Sequence, residues 1–192
     1  MYKLDVEQIK NRLSQEIPEI SRQQKQNAAV QILLIENSSL DMVLTKRSVF
    51  VQNHKHEISF PGGAFERDDE DIYQTALRET CEEINLCKRS ITFLGRLNPV
   101  ITHYGLTIYP FLGSIAQFDF LQAQPNWEVE EIFTIPLEWF LAQENLEERA
   151  VRVADHTRKV LFYRAFQGHI VWGITAAIIY ELVCELKNKA AS

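Results

Sequence analysis

Residues 70–86 read "EDIYQTALRETCEEINL", and their periodicity decides how the surrounding chain folds. Tyr73, Leu77, Cys81 and Ile84 recur at helical spacing and fall on one side, which predicts a helix from Glu70 to about Ile84 packed against an apolar partner. Glu79, Glu82 and Glu83 stand at i, i+3 and i+4 and share another face. Like charges at that spacing oppose a helix by only about 0.2–0.5 kcal/mol per pair, so a solvated acidic face explains them on their own. The same carboxylates also suit a hard divalent cation such as Mg²⁺, which takes oxygen ligands and leaves positions for water and substrate phosphates. Such cations neutralise phosphate oxygens and activate water in phosphoryl chemistry.

Upstream, "HEISFPGGAF" at residues 56–65 ends a short alternating run in Pro61, Gly62 and Gly63. A strand ending in an ordinary turn is one reading; the other is bare backbone brought close to a ligand, with a glycine carbonyl available to the same cation. Before it, "AAVQILLIE" and "LDMVLTKR" flank "NSS" and predict a β-hairpin ending near Arg47. Lys46 and Arg47 close that hairpin facing the glycines, where two cations could hold substrate phosphates; a solvated strand end is an equal account of Lys46. His54 and His56 would share a strand face, but no third ligand is nearby and zinc is not indicated.

Farther out, "LDVEQIKNRL" followed by Pro18 predicts a short amphipathic helix, and "SRQQKQN" a polar connector. "ITFLGRLN", "LTIYPFLGSIAQF" and "VEEIFTIP" read as strands and "LEWFLAQ" as a short helix. "RAVRVAD" and "KVLFYRAF" pair around "HTR", and "GHIVWGITAAIIYELVCELKNK" forms a last helix in which Trp172 reads as core packing. Strands alternating with helices, without repeats, predict an α/β architecture built on a mixed sheet.

The chain has 192 residues, 46% of them hydrophobic, which suits one domain with a substantial core. The net charge of -6 gives no reason to expect nucleic-acid binding. No stretch approaches the roughly 20 apolar residues of a membrane span, and "MYKLDVEQIKNRL" lacks a signal-peptide core; a soluble cytoplasmic protein is expected. Cys81, Cys87 and Cys184 are odd in number and have no CxxC spacing, so they read as reduced packing residues, with neither a disulfide framework nor a zinc site.

Gly63, Glu70, "RETCEE" from Arg78 to Glu83 and Leu86 resemble the Nudix box. Ala64 stands where counting back from Arg78 places glycine, because one extra residue separates Gly63 from Glu70, and Asn85 replaces the glycine after the glutamate pair. Asn is the next-best residue for a left-handed helix end. The extra residue is similar to the spacing of the family's coenzyme A pyrophosphatase subgroup. "VLTKRSVFVQNHKHEISFPGG" also resembles that subgroup's signature at Leu44, Thr45, Arg47, Ser48 and Phe60 to Gly63, departing at Val43, Gln52 and His56. "THYGLTIYPFLG", "EVEEIFTIPL" and "VWGITAAII" resemble its later segments, so the likeness spans roughly residues 29 to 183 and leaves residues 1–28 as a separate helix and connector before a domain of residues 29–192.

The resemblance implies a Nudix fold, an α/β/α sandwich around a mixed β-sheet. It implies Mg²⁺ or Mn²⁺ held by Glu79, Glu82 and Glu83, an orienting ion pair between Glu70 and Arg78, and a substrate contact from Arg47; the bare backbone of Gly63 would add a carbonyl to the cation, and Gly62 and Lys46 would join Arg47 at the substrate. The general base would be Glu82 or Glu83, or Glu128 in "NWEVEEIF", for which a solvated strand end is an equal account. The implied substrate is coenzyme A or an acyl derivative, cleaved to 3',5'-ADP and a 4'-phosphopantetheine product. ADP-ribose, NADH or an oxidised nucleoside triphosphate is the alternative substrate, and a silent nucleotide-binding domain the alternative of another class; the intact carboxylates argue against silence. No nucleic-acid or membrane partner is implied, and a homodimer stays open.

Overall fold

Strand β1, Asn27–Glu36, is buried on both faces along most of its length, which explains its nearly unbroken apolar run. The computed structural model describes residues 4–20, 26–37, 39–153 and 156–188. β1 pairs antiparallel with β2, Leu40–Arg47, as the hairpin pattern predicts, and parallel with β7, Thr107–Ile115. β5, Thr92–Arg96, borders β7 on its far side. β3, Ile58–Ser59, and β8, Val129–Pro136, pair with β2, while β6, Val100–Ile101, pairs with β7. The result is a mixed eight-stranded sheet.

The glycine segment is itself a strand rather than a turn. Gly62–Ala64 forms β4, antiparallel to β1 in the register Ala28 to Ala64, Ala29 to Gly63 and Val30 to Gly62. It takes the stretch of β1 that precedes the β2 pairing.

Helix α2, Ile72–Ile84, covers one face, starting two residues later than the periodicity predicts because Asp71 caps it by accepting from the Gln74 N–H at 2.8 Å. Its Ile72, Tyr73, Ala76 and Leu77 pack on Ala29 and Phe111. The C-cap Asn85 has φ 59° and ψ 22°, the left-handed conformation expected of it. The opposite face is covered by α5, Gly173–Asn188, α4, Leu137–Leu141, and α1, Val6–Lys10. A four-residue helix α3, Gln117–Phe120, ends what the pattern reads as one long strand. Two helical layers around a mixed sheet make this the α/β/α sandwich expected.

Three further expectations are corrected. Strands β9, Leu146–Val153, and β10, His156–Tyr163, pair with Val153 opposite His156, so "HTR" lies in β10 rather than in the turn; residues 154–155 lie outside those described. Trp172 is 39% exposed and stacks on Phe162 at 5.7 Å, outside the core. Cys81 and Cys87 form a disulfide instead of standing reduced: the left-handed Asn85 folds the chain back over the last turn of α2 and brings the two sulfurs together. The connector "SRQQKQN" lies largely outside the described residues, at 21–25, and Asn27 already belongs to β1.

The amino-terminal helix joins the main core. Asp5 and Gln8 form a capping box, and Val6, Ile9 and Leu13 enter the same apolar cluster as α5. Ile9 is fully buried, so Ile9→Ala is expected to lower unfolding stability by about 2–5 kcal/mol, measured by urea denaturation; a shift under a few tenths would show α1 to be an appendage.

Candidate active site

Gly63 lies where a larger residue would displace the Glu79 carboxylate. A Cβ there would run into the Glu79 carboxylate, and one on Gly62 would run into the Ala29 carbonyl oxygen and the Val30 backbone. Gly62 is therefore required for the close approach to β1, and Gly63 leaves Glu79 its position on the acidic helix. The ladder also sets which backbone groups face the site. The Pro61 carbonyl accepts from Gln31 N–H, and Phe65 N–H donates to the Asn27 carbonyl. Alternation along an antiparallel strand then turns the Gly63 carbonyl toward β1. Gly62 N–H and the Ala64 carbonyl face the other way, onto Glu83 Oε2 at 3.3 Å and Arg78 Nη2 at 3.1 Å. The carbonyl expected of Gly63 is thus supplied on this side by Ala64.

Arg78 takes a different partner from Glu70. Its Nε and Nη2 donate to the two oxygens of Asp69 at 2.9 and 3.1 Å. Asp69 also accepts from Thr75 Oγ1 at 2.8 Å and Glu66 N–H at 3.0 Å. Burial opposes the charge of Asp69, but the Arg78 hydrogen bonds and the two others outweigh it and hold the carboxyl below its ordinary range. Arg78 in turn is held more firmly protonated, chiefly by Asp69. Its Nη1 reaches Glu79 at 2.9 Å and Glu82 at 3.4 Å. Sequence reasoning missed Asp69, although the signal was there: five residues separate it from Gly63, the family's own interval.

Glu79, Glu82 and Glu83 come to one side of α2, unequally. Glu82 is open to solvent, with its side chain 56% exposed, whereas Glu83 is 5% exposed. Burial pushes the Glu83 carboxyl up to about 8; the Gly62 N–H and Arg47 oppose the rise, and Glu79 and Glu128 add to it. Glu79 is also raised, by burial first, against the pull of Arg78. Among the described residues no three acidic, His or Cys side chains are gathered at ligating distance. Each carboxylate has instead found a cationic or N–H partner. Crowded oxygen donors with excess negative charge still fit a hard divalent cation, whose charge would offset what the burial of Glu83 and Glu79 leaves uncompensated.

Arg47 joins Glu128 to this group. Its Nη1 is 3.9 Å from Glu83 Oε1 and its Nη2 3.8 Å from Glu128 Oε2, while its buried Nε has no hydrogen-bond partner. Glu128 sits in a loop docked on the end of α2: Gln124 and Asn126 N–H donate to the Ile84 and Glu83 carbonyls, and Ser48 N–H donates to the Glu128 carbonyl at 2.7 Å. Lys46 is separated from Arg47 by a register shift in the β2–β8 ladder and pairs with Glu130 at 2.7 Å. His54 and His56 lie in a loop, not on a strand, with φ 58° and 59°. His56 shares Glu130 with Lys46 at 2.9 Å, and His54 meets Glu57 at 2.9 Å. The left-handed backbone at His56 explains why the subgroup's signature calls for glycine there.

Comparison with known proteins identifies the family. Residues 25–160 match the NUDIX domain. The chain is 31% identical over 180 residues to the uncharacterized Nudix hydrolase NudL of Photorhabdus laumondii, covering 92% of this chain and 95% of that one. It is 34% identical over 158 residues to the mitochondrial coenzyme A diphosphatase NUDT8 of Mus musculus, covering 82% and 75%. A MutT/nudix family protein from Enterococcus faecalis superposes with a TM-score of 0.55 at 18% identity, over 92% of this chain and 65% of that one, which speaks for the fold alone. With the domain matched over most of its length and the carboxylate helix set against a glycine strand, the chain belongs to the Nudix hydrolase family and resembles its NudL-like members.

Proposed function

We propose that this chain hydrolyses the diphosphate linkage of coenzyme A or its acyl derivatives, giving 3',5'-ADP and 4'-phosphopantetheine or its acyl form, with Mg²⁺ or Mn²⁺. The observation that carries this reading is the placement of Arg47. The 43–63 stretch, which resembles the coenzyme A subgroup's signature, delivers this guanidinium between Glu83 and Glu128 with its Nε unpartnered. The similarity to a coenzyme A diphosphatase across four-fifths of the chain supports the same substrate.

Glu79, Glu82, Glu83 and the Ala64 carbonyl would hold the cation. When bound, it supplies charge neutralisation at the diphosphate oxygens and a more acidic attacking water. Arg47 holds a substrate phosphate through its Nη groups, which lie 3.9 and 3.8 Å from Glu83 and Glu128, with Lys46 as a weaker, solvent-side contact. Gly62 brings a backbone N–H to the substrate's side of β4, beside Glu83 Oε2. Glu128 takes the water's proton, because a carboxylate engaged by a cation is a poorer base than one beside it. Arg78 and Asp69 act by position, locking β4 to α2. Nothing here needs nucleic acid or a membrane partner, and among the described residues no helix is long and apolar enough to cross a bilayer.

Incubation with Mg²⁺ or Mn²⁺ and a panel of coenzyme A, acetyl-coenzyme A, ADP-ribose, NADH and 8-oxo-dGTP, with products separated, is expected to show 3',5'-ADP from the coenzyme A species. Survival of those species while another is cleaved would refute the substrate. Glu83→Gln is expected to lower kcat at least about a hundredfold, and Arg47→Ala chiefly to raise KM for coenzyme A.

Burial of the carboxylates also fixes a pH dependence. A Glu83 carboxyl that holds its proton to about pH 8 when folded, but to the ordinary carboxyl range when unfolded, contributes stability present in acid and lost as pH rises through about 8. In EDTA, urea unfolding is expected to show stability falling between about pH 5 and pH 8, with a slope of at most about 1.4 kcal/mol per pH unit for this one proton. Added Mg²⁺ or Glu83→Gln flattens the slope; a rise over that range would contradict the assignment.

A further inference from the structure

The disulfide between Cys81 and Cys87 brackets the end of α2 with a sequence separation of 6, and Glu82 and Glu83 lie inside the loop it closes. Three features meet there. Asn85 N–H donates to the Cys81 carbonyl at 3.0 Å, making the left-handed cap. The next carbonyls, of Glu83 and Ile84, receive Asn126 and Gln124 N–H at 2.9 and 3.0 Å. Those two residues lead directly to Glu128, whose own N–H is held by Asn126 Oδ1 at 2.8 Å. The bond is also reachable: both cysteines are only half-buried and border a cleft of about 370 Å³ lined by Gln74, Leu77, Arg78 and Lys88. The cleft is open to solvent, and Asp68, Asp69 and Glu70 line its other side.

We infer that this pair is a reversible redox site, opened by a small dithiol in the cleft, and that it sets the order of the helix end on which the Glu128 loop docks. The inference that this order governs turnover rests on the hydrolase reading above. Cys81 belongs to the last turn of α2, whose carbonyl end disfavours an anion, while Cys87 lies beyond the helix next to the exposed Lys88. Cys87 is therefore the better leaving thiolate. A dithiol's first thiolate attacks the Cys81 sulfur, forming a mixed disulfide and releasing Cys87 as a thiolate that takes up a proton. The second thiol, deprotonated, closes on the first sulfur, and Cys81 leaves and is protonated. Two electrons and two protons pass to the protein, and the dithiol departs as its cyclic disulfide. The cross-link no longer restrains the last turn of α2, and the carbonyls of Glu83 and Ile84 hold their partners less persistently.

The experiment compares oxidised and dithiothreitol-treated full-length protein without denaturant and without metal. Alkylation with mass spectrometry counts the thiols, and hydrogen exchange follows the amides of Asn85, Gln124 and Asn126. The expected result is two additional alkylated cysteines and exchange faster on the order of tenfold at those amides, with β1 and β7 amides unchanged. The Cys81→Ser/Cys87→Ser variant should show the fast exchange without reductant, and Cys87→Ser alone serves should the double variant not fold. With coenzyme A and Mg²⁺, the reduced form should have a kcat several-fold lower. Cysteines that resist dithiothreitol until the chain unfolds, unchanged exchange, or equal kcat in the two forms would overturn the inference. Exchange and thiol counts need no substrate, so they stand or fall apart from the proposed hydrolysis.

Discussion

One guanidinium joins the parts of this site that come from different places in the chain. Arg78 holds both oxygens of Asp69, the Ala64 carbonyl, Glu79 and, at longer range, Glu82. The loop after β4, the edge of β4 and the acidic face of α2 are thereby set in one geometry. A planar group with donors in fixed directions can do this; an ammonium could satisfy the charge but not the five directions at once. The glycines are the other half of the constraint, since Gly62 lets β4 lie against β1 and Gly63 leaves the Glu79 carboxylate its place beside the strand.

Much of this was legible in the sequence because it follows from local periodicity. The α2 helix, the β1–β2 hairpin and the left-handed Asn85 each follow from residue spacing or backbone preference, and the structure has them. The carboxylate trio was legible as a face of that helix. What was not legible depends on contacts between segments. The "FPGG" run reads as a turn on its own residues and becomes a strand only because the amino-terminal stretch of β1 is open to pair with it. Four acids in a row at 68–71 leave the Arg78 partner ambiguous until Asp69 is seen buried and accepting from Thr75.

The cysteines show the same limit from another side. Spacing rules catch CxxC pairs and extracellular frameworks, but Cys81 and Cys87 meet because a helix ends between them and the chain reverses at Asn85. The apolar stripe through Tyr73, Leu77, Cys81 and Ile84 was real in three of its members, and Cys81 lay at its margin, turned to the outside. A residue that completes a periodic pattern need not share the pattern's environment.

The hydrogen bond from Ser48 N–H to the Glu128 carbonyl ties the loop after β2 to the loop before β8. The first carries the exposed Phe50 and the second the exposed Trp127, the residue before Glu128. Because the two loops share an anchor, an insertion or exchange in residues 48–57 cannot re-aim one without shifting the other. A change of length or sequence in the first loop is then felt at the position of Glu128, so that the two loops are free to diverge only as a pair.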